Sequence, residues 1–155
     1  MSGSEAAGEK EEQQEELPDA ADFTVQTAEG MDVTLSDMQG KPVIVNFWAS
    51  WCPPCKAELP YFQDAYDQYG SEIRFMMVDL TDGRRETNTT VQQFLKDTGY
   101  TFPVFYDRTG EASYAYELYS IPVTVGIDPE GKLVYHKIGA MSENEMQDLI
   151  DKLIG

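Results

Sequence analysis

One short run constrains this chain more than any other. In Pro42-Val43-Ile44-Val45-Asn46-Phe47 four large apolar side chains surround a single polar one, with no alternation between a wet and a dry face. A run of that length and character suits a strand covered on both sides. Residues 73–79 form a second such strand, and between the two lies a helical stripe. Leu59, Phe62, Tyr66 and Tyr69 fall at i, i+3, i+7 and i+10, and Gly70 follows. The spacing predicts a helix over 53–69 and a β-α-β unit with parallel strands.

The remaining punctuation completes the layout. Residues 23–26 and 31–35 read as a short hairpin ahead of the buried strand. Val91, Phe94, Leu95 and Thr98, closed by Gly99, give a helix over about 90–98. A short strand follows over 103–106, then a helix over 110–119. Strands 123–127 and 133–138 flank Asp128-Pro129-Glu130-Gly131, which suits a type I turn. Ser142 and Glu145 form a capping box, and Met146, Leu149, Ile150, Leu153 and Ile154 make the stripe of a closing helix. The order β-β-β-α-β-α-β-α-β-β-α implies an α/β domain with a central mixed sheet, parallel early and antiparallel late, and helices on both faces.

Charge removes several function classes. Lys and Arg total 11 against 28 Asp and Glu, a formal net charge of -17, so a phosphate backbone would be repelled and nucleic-acid binding is excluded. No apolar run approaches the roughly 20 residues of a membrane span. Seven of the acids fall within residues 1–19, which contain no aromatic or β-branched side chain. Such a stretch cannot offset its ordering entropy, so residues 1–19 read as a disordered acidic tail and 20–155 as one domain. Met1-Ser2-Gly3-Ser4 reads as an expression remnant, leaving room for an anchor ahead of the tail.

The chain has only two cysteines, Cys52 and Cys55, in Trp51-Cys52-Pro53-Pro54-Cys55-Lys56, where the buried strand gives way to the helix. A disulfide between them closes too small a loop to staple the fold, stabilising it by only about 1.9 kcal/mol. Cα atoms three apart on a helix are about 5 Å from each other, so the bond can open and close with little backbone movement. Cys52 at the N-cap is expected to be exposed, its thiolate favoured by the positive end of the helix dipole; Cys55 is expected deeper. Cys52 would attack a substrate disulfide and Cys55 would displace the product. Pro53 and Pro54 lack N–H groups, which leaves the Cys55 N–H as the nearest donor to the Cys52 sulfur. That moderate support predicts a Cys52 pKa closer to about 7 than to about 3.5, a pair poised to reduce.

These residues, with Ile121-Pro122 ahead of a later strand, resemble the thioredoxin superfamily. The longer string from Asn46 to Pro60, the turn at Asp128 and the inserted helix over 90–98 resemble its TlpA/ResA-like branch. The likeness covers about residues 18–155. It implies a thioredoxin-like fold with an N-terminal β-hairpin extension and an inserted helix. It also implies a membrane-tethered extracytoplasmic protein of the bacterial envelope that reduces disulfides of proteins such as apocytochrome c. Its reductant would be a membrane thiol donor of the CcdA or DsbD kind, with no cofactor beyond the cysteine pair and a monomeric state.

Residue by residue, the resemblance makes Pro122 a cis-proline facing the pair and lets Ile121 pair with an extended substrate, beside Trp51, Pro53 and Pro54. It makes Glu58, one turn past Cys55, the acid that exchanges a proton with that thiol. Asn46 stands where thioredoxins proper carry a buried Asp, which leaves Glu58 as the leading proton carrier, and Val123 stands where relatives often have Thr. Lys56 is a candidate to support the thiolate electrostatically. Trp48 and Trp51 read first as packing residues, and His136, the only histidine, has no partner for a metal site. Two thiolates at this spacing could instead hold Cu(I), and oxidase or isomerase variants of the exchange remain open.

Overall fold

A computed structural model describes residues 17–155. Most of the expected acidic tail, residues 1–16, lies outside the described residues. Asp19 is already held: Lys132 Nζ donates to its carboxylate at 2.6 Å, and its neighbour Ala20 donates its N–H to Gly131 O at 2.9 Å.

Seven strands form one sheet in the order β2-β1-β5-β4-β3-β6-β7. They are β1 (Thr24–Gln26), β2 (Asp32–Thr34), β3 (Val43–Trp48), β4 (Arg74–Asp79), β5 (Val104–Tyr106), β6 (Val123–Ile127) and β7 (Leu133–Ile138). Four helices accompany them: α1 (Pro53–Tyr69), α2 (Asn88–Thr98), α3 (Glu111–Ala115) and α4 (Glu143–Ile154). Every residue of β3 is buried, as its sequence requires. It lies between β4, which it pairs in parallel, and β6, which it pairs antiparallel. β5 extends the parallel half, the β1–β2 hairpin closes that edge, and β7 closes the other. The mixed sheet, early parallel and late antiparallel, is the one expected.

Alternation along β3 feeds two cores. Ile44 and Trp48 join Leu59 and Phe62 of α1, Val91 of α2 and Met146, Leu149 and Ile150 of α4 on one face. Val43, Val45 and Phe47 join Leu35, Phe23 and Ala112 of α3 on the other. Helices therefore cover both faces. Trp48 is fully enclosed, which confirms its packing role.

The differences from expectation are local. α3 ends at Ala115 rather than near 119, because Glu117 turns left-handed at φ 48° and Tyr119 swings out into solvent. What holds α3 is the buried Asp107 carboxylate, which accepts from the N–H groups of Ala112 and Ser113 and from the Ser113 hydroxyl. α2 starts earlier than predicted, capped by Thr87 through a reciprocal box with Thr90. A 3₁₀ turn over Leu35–Met38 follows β2 with no counterpart in the sequence pattern. The box of Ser142 with Glu145 is present as read, and the turn at Asp128 closes through a 2.9 Å bond from Gly131 N–H to Asp128 O.

Leu149 is fully buried where α4 crosses β6, and a Cβ added to Gly126 would meet its Cδ1 at 2.7 Å. Leu149→Ala is expected to lower the unfolding free energy by about 3 kcal/mol, read as a lower urea midpoint at unchanged slope.

Candidate active site

β3 delivers the chain to the first turn of α1, and the cysteines sit at that delivery point. Cys52 is the N-cap, with extended backbone, and its Sγ accepts the Cys55 N–H at 3.3 Å. Pro53 and Pro54 occupy the first two helical positions and offer no N–H, so this bond is the one the sequence left available. The pair is closed as a disulfide with Cα atoms 5.2 Å apart, close to the helical expectation.

Cys52 is not exposed as expected. Only 3% of it meets solvent, and Cys55 is wholly buried. The sulfur turns inward to bond with Cys55, and the Ile121 carbonyl lies 3.9 Å from it. The Ile121-Pro122 peptide is cis. Around this sulfur pair Trp51, Pro53 and Pro54 are exposed, while Ile121 is half-buried and Pro122 buried. The Arg85 guanidinium stacks 3.7 Å from the centre of the Trp51 ring, so Trp51 belongs to the surface rather than the core. Lys56 is exposed on the first turn of α1.

Glu58 lies on the inner face of α1, one turn beyond Cys55, and is completely enclosed rather than a surface charge. Asn46 Nδ2 donates to its Oε2 at 2.7 Å, and Met141 N–H donates to its Oε1 at 2.9 Å. Asn46 Nδ2 also donates to the buried Thr124 hydroxyl at 3.1 Å. Burial pushes the Glu58 pKa from 4.5 up to about 7, against the opposing pull of the two hydrogen bonds and of Lys137. At neutral pH the group is therefore divided between its acid and its base forms.

Three residues at this site were not singled out from the sequence. Ser50, two positions before Cys52, donates its N–H and its hydroxyl to the two carboxylate oxygens of Glu86, each at 2.5 Å. Glu86 is fully buried, and so is Asp79 at the end of β4, opposite Trp48 of β3. An acid finishing an otherwise apolar strand run was a legible signal for Asp79; Glu86, inside a polar loop, had none. His136 is exposed on β7 opposite Val125. Among the described residues no three His, Cys, Asp or Glu side chains gather where they could hold a metal ion.

A cysteine pair at the mouth of a helix, set against a cis-proline on a mixed sheet, defines a thiol-disulfide oxidoreductase of thioredoxin-like fold. Comparison with known proteins agrees. The AhpC/TSA family pattern matches residues 18–136, and the chain belongs to that family. It is 35% identical over 134 residues to the thiol-disulfide oxidoreductase ResA of Bacillus subtilis, covering 86% of this chain and 73% of that protein. The crystal structure of StoA from the same organism superposes with a TM-score of 0.72 at 32% identity, over 84% of this chain and 97% of StoA. The pneumococcal exposed lipoprotein thioredoxin of Streptococcus pneumoniae gives 0.73 at 31% identity, over 86% of this chain and all of that one. The redox group is the Cys52–Cys55 pair itself.

The raised Glu58 pKa makes stability depend on pH. Above about 4.5 the unfolded chain releases this proton while the folded chain keeps it up to about 7, so the contribution of Glu58 falls as pH rises through that window. Glu58→Gln removes the slope because an amide does not titrate; with the Asn46 carboxamide turned over, the new N–H group donates to Asn46 Oδ1, which is unpartnered in the wild type. The variant is expected to match the wild type below about pH 4.5 and to exceed it by up to about 3 kcal/mol above about pH 7, measured by denaturant unfolding across pH.

Proposed function

We propose that this protein reduces disulfides of extracytoplasmic proteins by dithiol exchange, with Cys52 as the attacking sulfur. The observation that carries this reading is the Cys52 sulfur capping α1 through the Cys55 N–H, where the helix dipole favours a thiolate. In the reduced protein the Cys52 thiolate attacks one sulfur of the substrate disulfide, forming a mixed disulfide and expelling the other sulfur as a thiolate. Glu58 takes the Cys55 proton. The Cys55 thiolate then attacks Cys52 Sγ, closing the internal disulfide and expelling the second substrate sulfur as a thiolate, which takes its proton from solvent, so two electrons pass to the substrate.

Ile121 lies two residues ahead of Val123, where the β6–β3 ladder ends, and its carbonyl sits 3.9 Å from Cys52 Sγ, beside the reacting sulfur. An extended substrate segment would bond there, with Trp51, Pro53 and Pro54 forming the exposed contact surface and the buried Pro122 fixing Ile121 beside it. Lys56 would supply positive charge near the attacking sulfur. The electron donor in this reading is a membrane dithiol protein, the substrates include apocytochrome c, and the protein works as a monomer outside the cytoplasm, tethered through a segment ahead of the acidic tail. The likeness to ResA and to an exposed lipoprotein thioredoxin supports that placement. Among the described residues no helix is long and apolar enough to cross a membrane.

Insulin reduction followed by turbidity tests the exchange. Cys52→Ser is expected to abolish turnover, whereas Cys55→Ser completes the first attack and accumulates a mixed disulfide visible by mass spectrometry. Failure of Cys55→Ser to trap any substrate would overturn the assignment of Cys52. Glu58→Gln is expected to slow the second step by about 10²-fold or more while leaving alkylation of Cys52 within about twofold of the wild type.

A further inference from the structure

Behind the turn that carries Cys52 lies a buried acidic pair that the exchange chemistry leaves unused. Asp79 and Glu86 are both fully enclosed, one from the end of β4 and the other from the loop between β4 and α2. Thr81 Oγ1 donates to Asp79 Oδ1 at 2.9 Å. The second oxygen, Oδ2, is buried and receives no donor, although the Glu86 carboxyl is hydrogen-bonding neighbour to this side chain. Two ionised carboxylates held together away from water repel, and a buried acceptor without a donor is costly. A single proton on Asp79 Oδ2 relieves both problems, because the O–H then donates to an ionised Glu86.

Glu86 in its ionised form is what Ser50 requires. Both bonds from Ser50 need acceptors, and a carboxylate supplies two at once. Ser50 sits within the turn that Cys52 N–H closes on Ala49 O at 3.2 Å. The neighbour of Glu86, Arg85, stacks on Trp51. One loop thus grips two consecutive residues immediately ahead of Cys52. The loop is itself folded around Asp82, whose Oδ1 accepts the N–H groups of Arg84 and Glu86. The other charged or titratable groups facing the pair are Asp82 in the same loop and Tyr106 of β5, opposite Asp79, with Arg108 over its ring.

We propose that Asp79 and Glu86 work as one proton-sharing unit that positions Cys52 for attack by fixing Ser50. Neither acid touches a reacting sulfur; both are positioning residues. The inference rests on Cys52 being the attacking group. Burial and the Glu86 carboxyl push the Asp79 pKa up to about 10, consistent with a proton retained at neutral pH.

The test compares Asp79→Ala, Asp79→Asn and Glu86→Gln in the full chain. The rate constant of the reduced protein with hydroxyethyl disulfide is measured per Cys52 thiolate, with thermal unfolding recorded alongside. A displacement of about 1 Å can cost about 10²-fold, so Asp79→Ala and Glu86→Gln are expected to lose about tenfold or more while still folded. Asp79→Asn, whose amide keeps a donor toward Glu86, is expected to recover most of what Asp79→Ala loses. Infrared spectra at about pH 9, where Glu58 is ionised, are expected to show a protonated-carboxyl band in the wild type that Asp79→Asn removes. The proposal is overturned by a folded Glu86→Gln that reacts at the wild-type rate, by an Asp79→Asn no faster than Asp79→Ala, or by absence of the band. Should the wild type itself fail to react with the disulfide, the exchange reading falls, and the band still decides whether the carboxyls share a proton.

Discussion

Everything at this site depends on where one helix begins. The Cys52 sulfur accepts the first backbone N–H that α1 has to offer, and it is the first only because Pro53 and Pro54 have none. That bond places the sulfur at the positive end of the helix dipole and within bonding reach of Cys55. Its position is inherited from β3, which cannot shift because both its faces are packed and both its edges are paired. A strand so constrained acts as a fixed mount for the turn that follows it.

The same face of the sheet carries two acidic sites with opposite logic. Glu58 meets an amide: Asn46, on the neighbouring strand, gives it a donor rather than a second negative charge. Burial alone then dominates, and its affinity for a proton settles near neutrality, the range useful for exchange with a thiol. Asp79 meets a carboxyl, and its proton is held much more tightly. One acid is suited to moving a proton and the other to keeping one. Burial raises both; Glu58 is then met by donors, the Met141 N–H and the Asn46 amide, and Asp79 by the carboxyl of Glu86.

Much of this architecture could be read from residue order. The apolar run of β3, the stripe of α1 and the Ser142 box stood out because each is a periodic or positional pattern confined to a few residues. The cysteine pair and the Ile121-Pro122 step were legible as motifs. What stayed hidden depends on tertiary contact. The capping box of α2 uses Thr90 where a Glu or Gln is the usual signal, so its start was misplaced. α3 stops where Glu117 leaves helical geometry, which no local preference announces. Cys52 is an N-cap and so looked exposed, yet its sulfur turns back under the Ile121 carbonyl, on the bend ahead of β6 and 69 residues away. Glu86 sits in a loop of polar residues, and only the folded chain brings it beneath Ser50.

The central claim is that this helix mouth makes a reducing pair, and the equilibrium potential of the Cys52–Cys55 couple against glutathione buffers tests it most directly. The account predicts a value at or below about -220 mV, in the range of the glutathione pool and of thioredoxin. A value near about -120 mV, where the thiolate form is stabilised far more strongly, would contradict it.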